Sequence, residues 1–160
     1  MCGRYAQSAD MRDLMEQFEI TGNSPAHAIP VNWNIAPTNP IYIVRESIEE
    51  QDALKRDLAV VSWGLIAPWL SDPASIITQE AQGELATIHS RMPVFMPHNR
   101  WEQWLDPKNK DVEHLRNLMV VESPESIVTA HPVSAAVNSV ANNGQGLIEP
   151  IELGEPETLF

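Results

Sequence analysis

The runs Ile41-Tyr42-Ile43-Val44 and Leu58-Ala59-Val60-Val61-Ser62 decide the fold class of this chain. Both are rich in β-branched and aromatic side chains, the residue types that favour strands. The polar residues between them, Glu46 to Asp57, predict a turn or a short excursion, so the two runs are expected to pair as a β-hairpin. An antiparallel hairpin is therefore the first element of the predicted structure.

A helical pattern precedes this hairpin. Apolar side chains in residues 11–18 fall at positions i, i+3, i+4 and i+7, which is the spacing of one helix face. Ser8 or Asp10 can cap the helix, and Gly22 with Asn23 is expected to end it. The other predicted elements are short: helices after Asn99 and over 111–117, and strands over 2–8, 75–78 and 131–140.

The segment 23–40 carries four prolines and is predicted to be an ordered loop without regular structure, because proline fixes φ and removes a backbone donor. Taken together, these patterns predict an α+β fold with a mixed, mostly antiparallel sheet and flanking short helices. Residues 1–150 are expected to form a single domain, and the acidic residues 151–160 a tail.

Composition narrows the function classes. The chain has 160 residues, is 43% hydrophobic and contains one cysteine, which fits one globular domain without a disulfide framework. Neither a signal peptide nor an apolar run long enough to span a membrane is visible, so a cytoplasmic location is expected. The net charge of −12 opposes long-range attraction to nucleic acid, so any nucleic-acid function must depend on a local basic or aromatic groove.

Metal chemistry fits the sequence poorly. The five histidines have no partner at the spacing of a metal site, and neither a phosphate-cradling glycine loop nor a G-x-S-x-G motif occurs. No cofactor or metal is therefore expected. A nucleophilic pair of Cys2 with one of the histidines is compatible with the sequence, and His89 is notable because Arg91 and Pro93 follow it at the mouth of a strand.

Cys2 offers a specific reaction if Met1 is removed. The residue then carries an α-amine and a thiol on adjacent carbons, and an aldehyde that condenses with the amine can be closed by the thiol into a thiazolidine ring. Unperturbed α-amines and thiols titrate near about pH 8 and about pH 8.5, so a minority of each is reactive at neutral pH. The alternative interpretation is that a lone cysteine is a small buried hydrophobic residue.

Five groups of short motifs occur in one order along the chain. They are Met1-Cys2-Gly3-Arg4-Tyr5, then Asn34-Ile35-Ala36-Pro37-Thr38, then Trp63-Gly64-Leu65 with Trp69, then Ile76-Ile77-Thr78 with His89-Ser90-Arg91-Met92-Pro93, and finally His131-Pro132-Val133-Ser134 with 137–143. With these motifs the chain resembles the SOS-response-associated peptidase (SRAP) family, the abasic-site processing proteins. The resemblance covers nearly the whole chain.

This resemblance implies a function in DNA repair. Members of the family expose Cys2 by removing Met1 themselves, and they trap the aldehyde of an abasic site in single-stranded DNA as a thiazolidine crosslink. By this resemblance Cys2 is the nucleophile, His89 is the acid/base that assists opening of the deoxyribose ring, and Thr78 lines the same pocket. The partner implied is single-stranded DNA containing abasic sites, with no membrane partner.

The resemblance also implies a DNA-binding surface. Arg4 would hold a phosphate, for which its planar fork of donors is suited. Pro37 and Trp69 would wedge or stack against bases beside the lesion, where stacking contributes about 1–3 kcal/mol per base. Asn34, in the same loop motif as Pro37, is assigned to this surface as well, whereas Trp63 is expected to pack in the core.

The chain departs from the family between Pro73 and Ser75. A long central stretch is missing there, with an Asn-Ala-Arg-x-Glu motif and an Asp-Gly-Phe-x-Glu-Trp motif that supply an orienting asparagine, a phosphate-binding arginine and a proton-shuttling glutamate. Ser90 also replaces the usual aspartate beside His89. Because central strands go with the missing motifs, the sheet is expected to close differently, leave an edge exposed or pair with another chain.

Three functions stay open at this point. The first is a lesion-trapping protein in which Cys2 still forms the crosslink, with an autopeptidase and lyase-like activity impaired by the lost motifs. The second is a non-catalytic relative that binds DNA weakly or serves as an interaction module, which the lost motifs and the net charge favour. The third, a cysteine peptidase that acts on other proteins, has the least support, because the only proteolysis implied is removal of Met1.

Overall fold

The computed structural model describes residues 3–48, 53–64, 73–121 and 127–153. Within these ranges the chain is an α+β protein in which short, mostly antiparallel sheets are accompanied by a few short helices, as predicted. No helix in this part of the chain has the length and apolarity needed to cross a membrane.

The described residues form seven strands and four α-helices, which follow one another without a regular alternation. In order they are β1 (Tyr5–Gln7), α1 (Met11–Gln17), β2 (Asn32–Ile35), β3 (Pro40–Ile48), β4 (Leu54–Trp63), β5 (Pro73–Ala74), β6 (Thr78–Glu80), α2 (Leu85–Ile88), β7 (Arg91–Pro93), α3 (Trp101–Leu105) and α4 (Val112–Met119). The described residues also form 3-10 turns at His98–Arg100, Ala135–Asn138 and Gln145–Ile148.

The β3–β4 hairpin is the longest paired element, and the prediction of a hairpin is confirmed. Its register runs without a break from Pro40 opposite Ser62 to Ile48 opposite Leu54. The strands extend further into the polar segment than predicted, because Glu46 and Arg56 face each other across the ladder. Arg56 binds the Glu46 carboxylate at 2.8 and 3.0 Å, and both side chains are largely shielded from solvent.

A small apolar core joins the hairpin to its neighbours. Ile35 of β2, Ile41 of β3, and Val61 and Trp63 of β4 form the buried cluster. Around it pack four partly buried side chains from β1, β3, β5 and the segment before β6: Tyr5, Ile43, Ala74 and Ile76. The N-terminal strand and the segment leading into β6 are therefore held on the same cluster, and Trp63 packs in the core as expected.

The strands form three separate sheets. β1 pairs with β2, β3–β4 is extended by two residues of parallel β5, and β6 pairs with β7. The outer edge of β4 is also covered near Arg56, where the amides of Thr21 and Gly22 donate to its carbonyl. The described strands thus divide into smaller sheets, which is not one of the three outcomes expected for a sheet that lacks its central strands.

Two helices match their predictions, with corrected boundaries. α1 begins where expected, and Asp10 is its cap, accepting from the amides of Arg12 and Asp13 at 2.8 and 2.9 Å. It ends at Gln17 instead of reaching Gly22, because Glu19 adopts a left-handed φ of 51° that terminates the helix. α4, predicted over 111–117, begins at Val112, because Asp111 is its cap and accepts from the His114 amide.

Two predictions of local structure are wrong. The proline-containing segment 23–40 holds strand β2, which forms because β1 supplies its backbone partners. Residues 131–140 do not form a strand: only Val133 bridges to Pro150, and a 3-10 turn capped by Ser134 follows. The strand predicted over 75–78 is displaced as well, since β6 begins at Thr78, and the short helix α2 follows from Leu85.

Candidate functional site

Five of the seven predicted site residues belong to the described structure. Cys2 and Trp69 lie outside the described residues, so the site is built here from Arg4, Asn34, Pro37, Thr78 and His89. These five fall on three segments: the start of β1, the β2–β3 region, and the β6–β7 hairpin with its connecting helix.

Tyr5 fixes the strand that leads away from Cys2. Its ring meets the Trp63 indole edge to face, with 4.9 Å between ring centroids. Because Trp63 is only 4% exposed, this contact ties β1 to the core. Burial raises the pKa of Tyr5 to about 12, since the charged phenolate is poorly solvated there.

Three oxygen atoms accept hydrogen bonds from the Arg4 guanidinium. Its Nη1 donates to Asn34 Oδ1 at 2.7 Å and to the carbonyl of Val137 at 3.2 Å, while Nη2 donates to the carbonyl of Asn138 at 3.2 Å. The bonds link the start of the chain to a segment more than 130 residues away. The guanidinium is thus fixed in orientation and partly buried.

Asn34 is almost completely buried, with 3% of its surface exposed. Its Nδ2 lies within 3.1 Å of the carbonyl oxygens of Val137, Ser139 and Asn142, and its Oδ1 accepts from Arg4. A side-chain amide has two donor hydrogens, so the three carbonyls already saturate it. We predicted a DNA contact for Asn34, but its side chain offers no free polar atom, and its observed contacts are internal.

Pro37 lies in a loop that the backbone holds tightly. Thr38 N donates to the Trp63 carbonyl at 2.6 Å, and Ala36 N donates to Asn39 Oδ1 at 2.9 Å. Thr38 also takes a φ of 79°, a region that β-branched residues rarely adopt. Pro37 itself is exposed, so a fixed loop presents it to solvent.

Thr78 and His89 are joined through Arg91. The Arg91 guanidinium donates to Thr78 Oγ1 at 3.0 and 3.3 Å and also to the Thr78 carbonyl. The backbone amide of Arg91 donates to His89 Nδ1 at 2.9 Å. In the neutral imidazole, this bond places the proton on Nε2, the ring nitrogen for which the described residues show no partner.

His89 is therefore oriented without an aspartate beside it. The Arg91 carbonyl also lies 3.1 Å from Nδ1, so it can accept a hydrogen bond from that nitrogen when the ring is charged. Both protonation states of His89 consequently find a backbone partner at Arg91. The substitution of Ser90 for the usual aspartate does not leave the ring without an orienting bond.

Sequence reasoning missed two parts of this arrangement. The sequence motif places Arg91 beside His89, but no residue pattern indicates that its guanidinium reaches Thr78. The carbonyls of Val137 and Asn138 could not be found from sequence, because backbone groups leave no residue-type signal. No hydrogen bond joins the Arg4 group to the His89 group within the described segments.

Comparison with known proteins places these motifs in a family. The family model described as SOS response associated peptidase (SRAP) matches residues 1–75 and 71–140. The chain is 22% identical to the abasic site processing protein YoaM of Bacillus subtilis, over 93% of this chain and 98% of that protein. It is 37% identical to the abasic site processing protein HMCES of Gallus gallus, over 52% of this chain and 24% of that protein.

The alignments also locate the missing segment. The match to YoaM extends over 228 residues, more than the 160 residues of this chain, so YoaM contains residues with no counterpart here. The family model matches in two pieces that meet at residues 71–75, where the motifs predict the missing central stretch.

Proposed function

This chain belongs to the SOS response associated peptidase family, and we propose that it captures abasic sites in single-stranded DNA through Cys2. Its role in the family is abasic site processing, as the names of its relatives state. In the proposed reaction, hydrolysis of the Met1–Cys2 peptide bond frees the α-amine. The amine condenses with the aldehyde and releases water, and the thiol then adds to the imine carbon to close the thiazolidine.

One packing observation supports this proposal above the others. Tyr5, three residues after Cys2, and Ile76, two residues before Thr78, both pack on the cluster of Ile35, Ile41, Val61 and Trp63. The shared core holds both the strand that leads away from the nucleophile and the segment that leads into β6, which begins at Thr78. A Cys2 site therefore has a scaffold even without the central strands.

His89 is the proposed acid/base. With Nδ1 bound to the Arg91 amide, Nε2 carries the exchangeable proton and is oriented for transfer to the ring oxygen of the closed deoxyribose. Opening that ring releases the aldehyde. Thr78 contributes by holding the Arg91 guanidinium, which keeps the backbone of residue 91 in place.

The proposed DNA contacts follow the exposed groups. Arg4 would bind a phosphate with the donors that its internal bonds leave free, and Pro37 would wedge against a base from its rigid loop. Trp69 would stack on a neighbouring base. We do not place Asn34 on this surface, because its side chain is buried and its amide hydrogens are already bound to carbonyls.

The decisive experiment is a crosslinking assay. The purified protein is incubated with single-stranded DNA carrying one abasic site, and the products are separated on a denaturing gel. We expect a covalent band that is lost in Cys2→Ala and absent with undamaged DNA, together with loss of Met1 by mass spectrometry. Absence of the band from a protein that keeps Met1 would contradict the proposal.

A second function is favoured by charge and by length. The net charge of −12 and the segment missing relative to YoaM fit a non-catalytic relative that binds DNA weakly. General acid–base groups typically contribute 10²–10⁴-fold to a rate, so loss of the family's glutamate is expected to slow the aminothiol reaction without abolishing it. Salt-sensitive DNA binding without a covalent band would select this second function.

A further inference from the structure

The internal bonds of Arg4 leave a defined part of its guanidinium free. A guanidinium has five N–H donors. Both hydrogens of Nη1 are used, by Asn34 Oδ1 and the Val137 carbonyl, and one hydrogen of Nη2 is used by the Asn138 carbonyl. Among the described residues, no group accepts from Nε–H or from the second hydrogen of Nη2, and these two nitrogens flank one edge of the planar group.

That free edge has the geometry of an anion-binding fork. Two parallel N–H donors match two oxygens of a phosphate, which is why arginine binds phosphates in a bidentate manner. A flexible arginine would have to lose side-chain entropy when it binds, at a cost in affinity. Here the three internal bonds have already immobilised the side chain.

Asn34 is the centre of this arrangement. Its Oδ1 accepts the shortest of the Arg4 bonds, at 2.7 Å, and its Nδ2 binds three carbonyls of the C-terminal segment. One of these carbonyls, that of Val137, accepts from Arg4 as well. The backbone amide of Trp33 adds a bond to Asn143 Oδ1 at 2.9 Å, which fastens the same segment to β2.

We infer that Asn34 is a positioning residue, which acts through Arg4 by presetting the guanidinium so that its Nε–Nη2 edge meets a DNA phosphate. The carbonyls of residues 137 and 138 complete the support, so the C-terminal segment becomes part of the nucleic-acid site without touching DNA. This inference rests on the proposed function, in that it assigns a phosphate of single-stranded DNA as the ligand.

The test measures non-covalent binding in a Cys2→Ala background, where no crosslink forms. The probe is a fluorescent, undamaged oligothymidine of about 10 nucleotides, which suits a single-strand site. Its affinity is measured by anisotropy at several salt concentrations. The variants are Arg4→Gln, Asn34→Leu and the double variant, with Arg116→Gln as the matched control because Arg116 is exposed and, among the described residues, pairs with exposed Glu113.

We expect Arg4→Gln to weaken binding about tenfold and to reduce the salt slope by about 0.7, the value for one phosphate of a single strand. Asn34→Leu should weaken binding in the same direction. In the double variant the Asn34 change should add no further loss, because its effect passes through Arg4. Arg116→Gln should shift affinity only slightly, through net charge.

Three results would overturn the inference: independent, multiplicative losses in the double variant, an Asn34→Leu protein that melts earlier but binds normally, or no binding of the probe by the parent protein. If Asn34→Leu does not fold, Asn34→Ser retains a hydroxyl toward Arg4 and is tested in the same cycle. If the protein with Cys2 crosslinks abasic DNA but the Cys2→Ala series shows multiplicative losses, only the positioning role is refuted. If the Cys2→Ala series shows the coupled losses but the protein with Cys2 does not crosslink, only the proposed reaction is refuted.

Discussion

Gly22 is the position where one added carbon should do the most damage. A Cβ built there would lie 2.1 Å from Asp57 Oδ1, a separation that real Cβ atoms essentially never show, and at a tight 3.1 Å from Lys55 Cβ. Asp57 cannot easily move, because it is 4% exposed and accepts from Asn23 N at 2.6 Å and from Ser47 Oγ at 3.1 Å. Gly22→Ala must therefore displace either the carboxylate or the 21–23 segment.

The cost follows from these contacts. Hydrogen bonds to a charged group contribute about 1.5–3 kcal/mol each, and overpacking of a tight site costs about 1–3 kcal/mol. We expect Gly22→Ala to lower the free energy of unfolding by about 3 kcal/mol, which for a chain of this size lowers Tm by about 6–12 °C. Urea unfolding and thermal melts followed by circular dichroism measure both quantities.

Two controls make the reasoning testable. Gly146→Ala should change stability by less than about 1 kcal/mol, because its nearest contact would be Glu149 Oε2 at 4.0 Å. In Asp57→Ala, the further change Gly22→Ala should cost little, because the clashing oxygen is gone. A Gly22→Ala protein within about 0.5 kcal/mol of the parent, in the presence of Asp57, would refute the steric argument.

Three further predictions concern the site and its scaffold. His89→Gln should slow crosslinking to abasic DNA by about 10²–10⁴-fold in a gel time course, whereas the exposed control His114→Gln should not; equal rates would exclude an acid/base role. Thr38→Gly should raise the free energy of unfolding by about 1 kcal/mol, because Thr38 holds a φ of 79°, and an unchanged or lower Tm would show that this backbone stores no strain. Burial raises the pKa of Tyr5 to about 12, above its unfolded value near 10, so its contribution to stability is complete below about pH 10 and is lost toward about pH 12. Urea unfolding at about pH 9 and about pH 11 should show that Tyr5→Phe loses less stability over this interval than the parent, and equal losses would contradict the prediction.

The predictions succeeded where structure depends on near neighbours. Two β-branched runs predict the hairpin, and the cap at Asp10 acts on amides within three residues of it. They failed at β2, whose partner strand lies about 27 residues earlier and is only three residues long. They also failed at residues 131–140, where alternating apolar residues suggested a strand.

The C-terminal segment shows why alternation misled. Its carbonyls at 137, 139 and 142 turn toward one buried amide, that of Asn34, more than 100 residues earlier in the chain. In a strand the carbonyls of residues 137 and 139 would lie about 7 Å apart, too far for both to reach one amide nitrogen. The choice between strand and 3-10 turn was thus made by a tertiary partner, and no local pattern encodes that partner.

By itself, the sequence determined the hairpin, the start of α1 and the family. These follow from residue type, short spacing and the order of motifs. Only the tertiary structure decided that Asn34 binds Arg4 and the C-terminal carbonyls, that Arg91 links Thr78 to His89, and that the described strands divide into three sheets. The physical reason is common to all three: each depends on hydrogen bonds or packing between groups distant in the chain, and such partners are chosen by how the whole chain can bury its apolar surface while satisfying its polar groups.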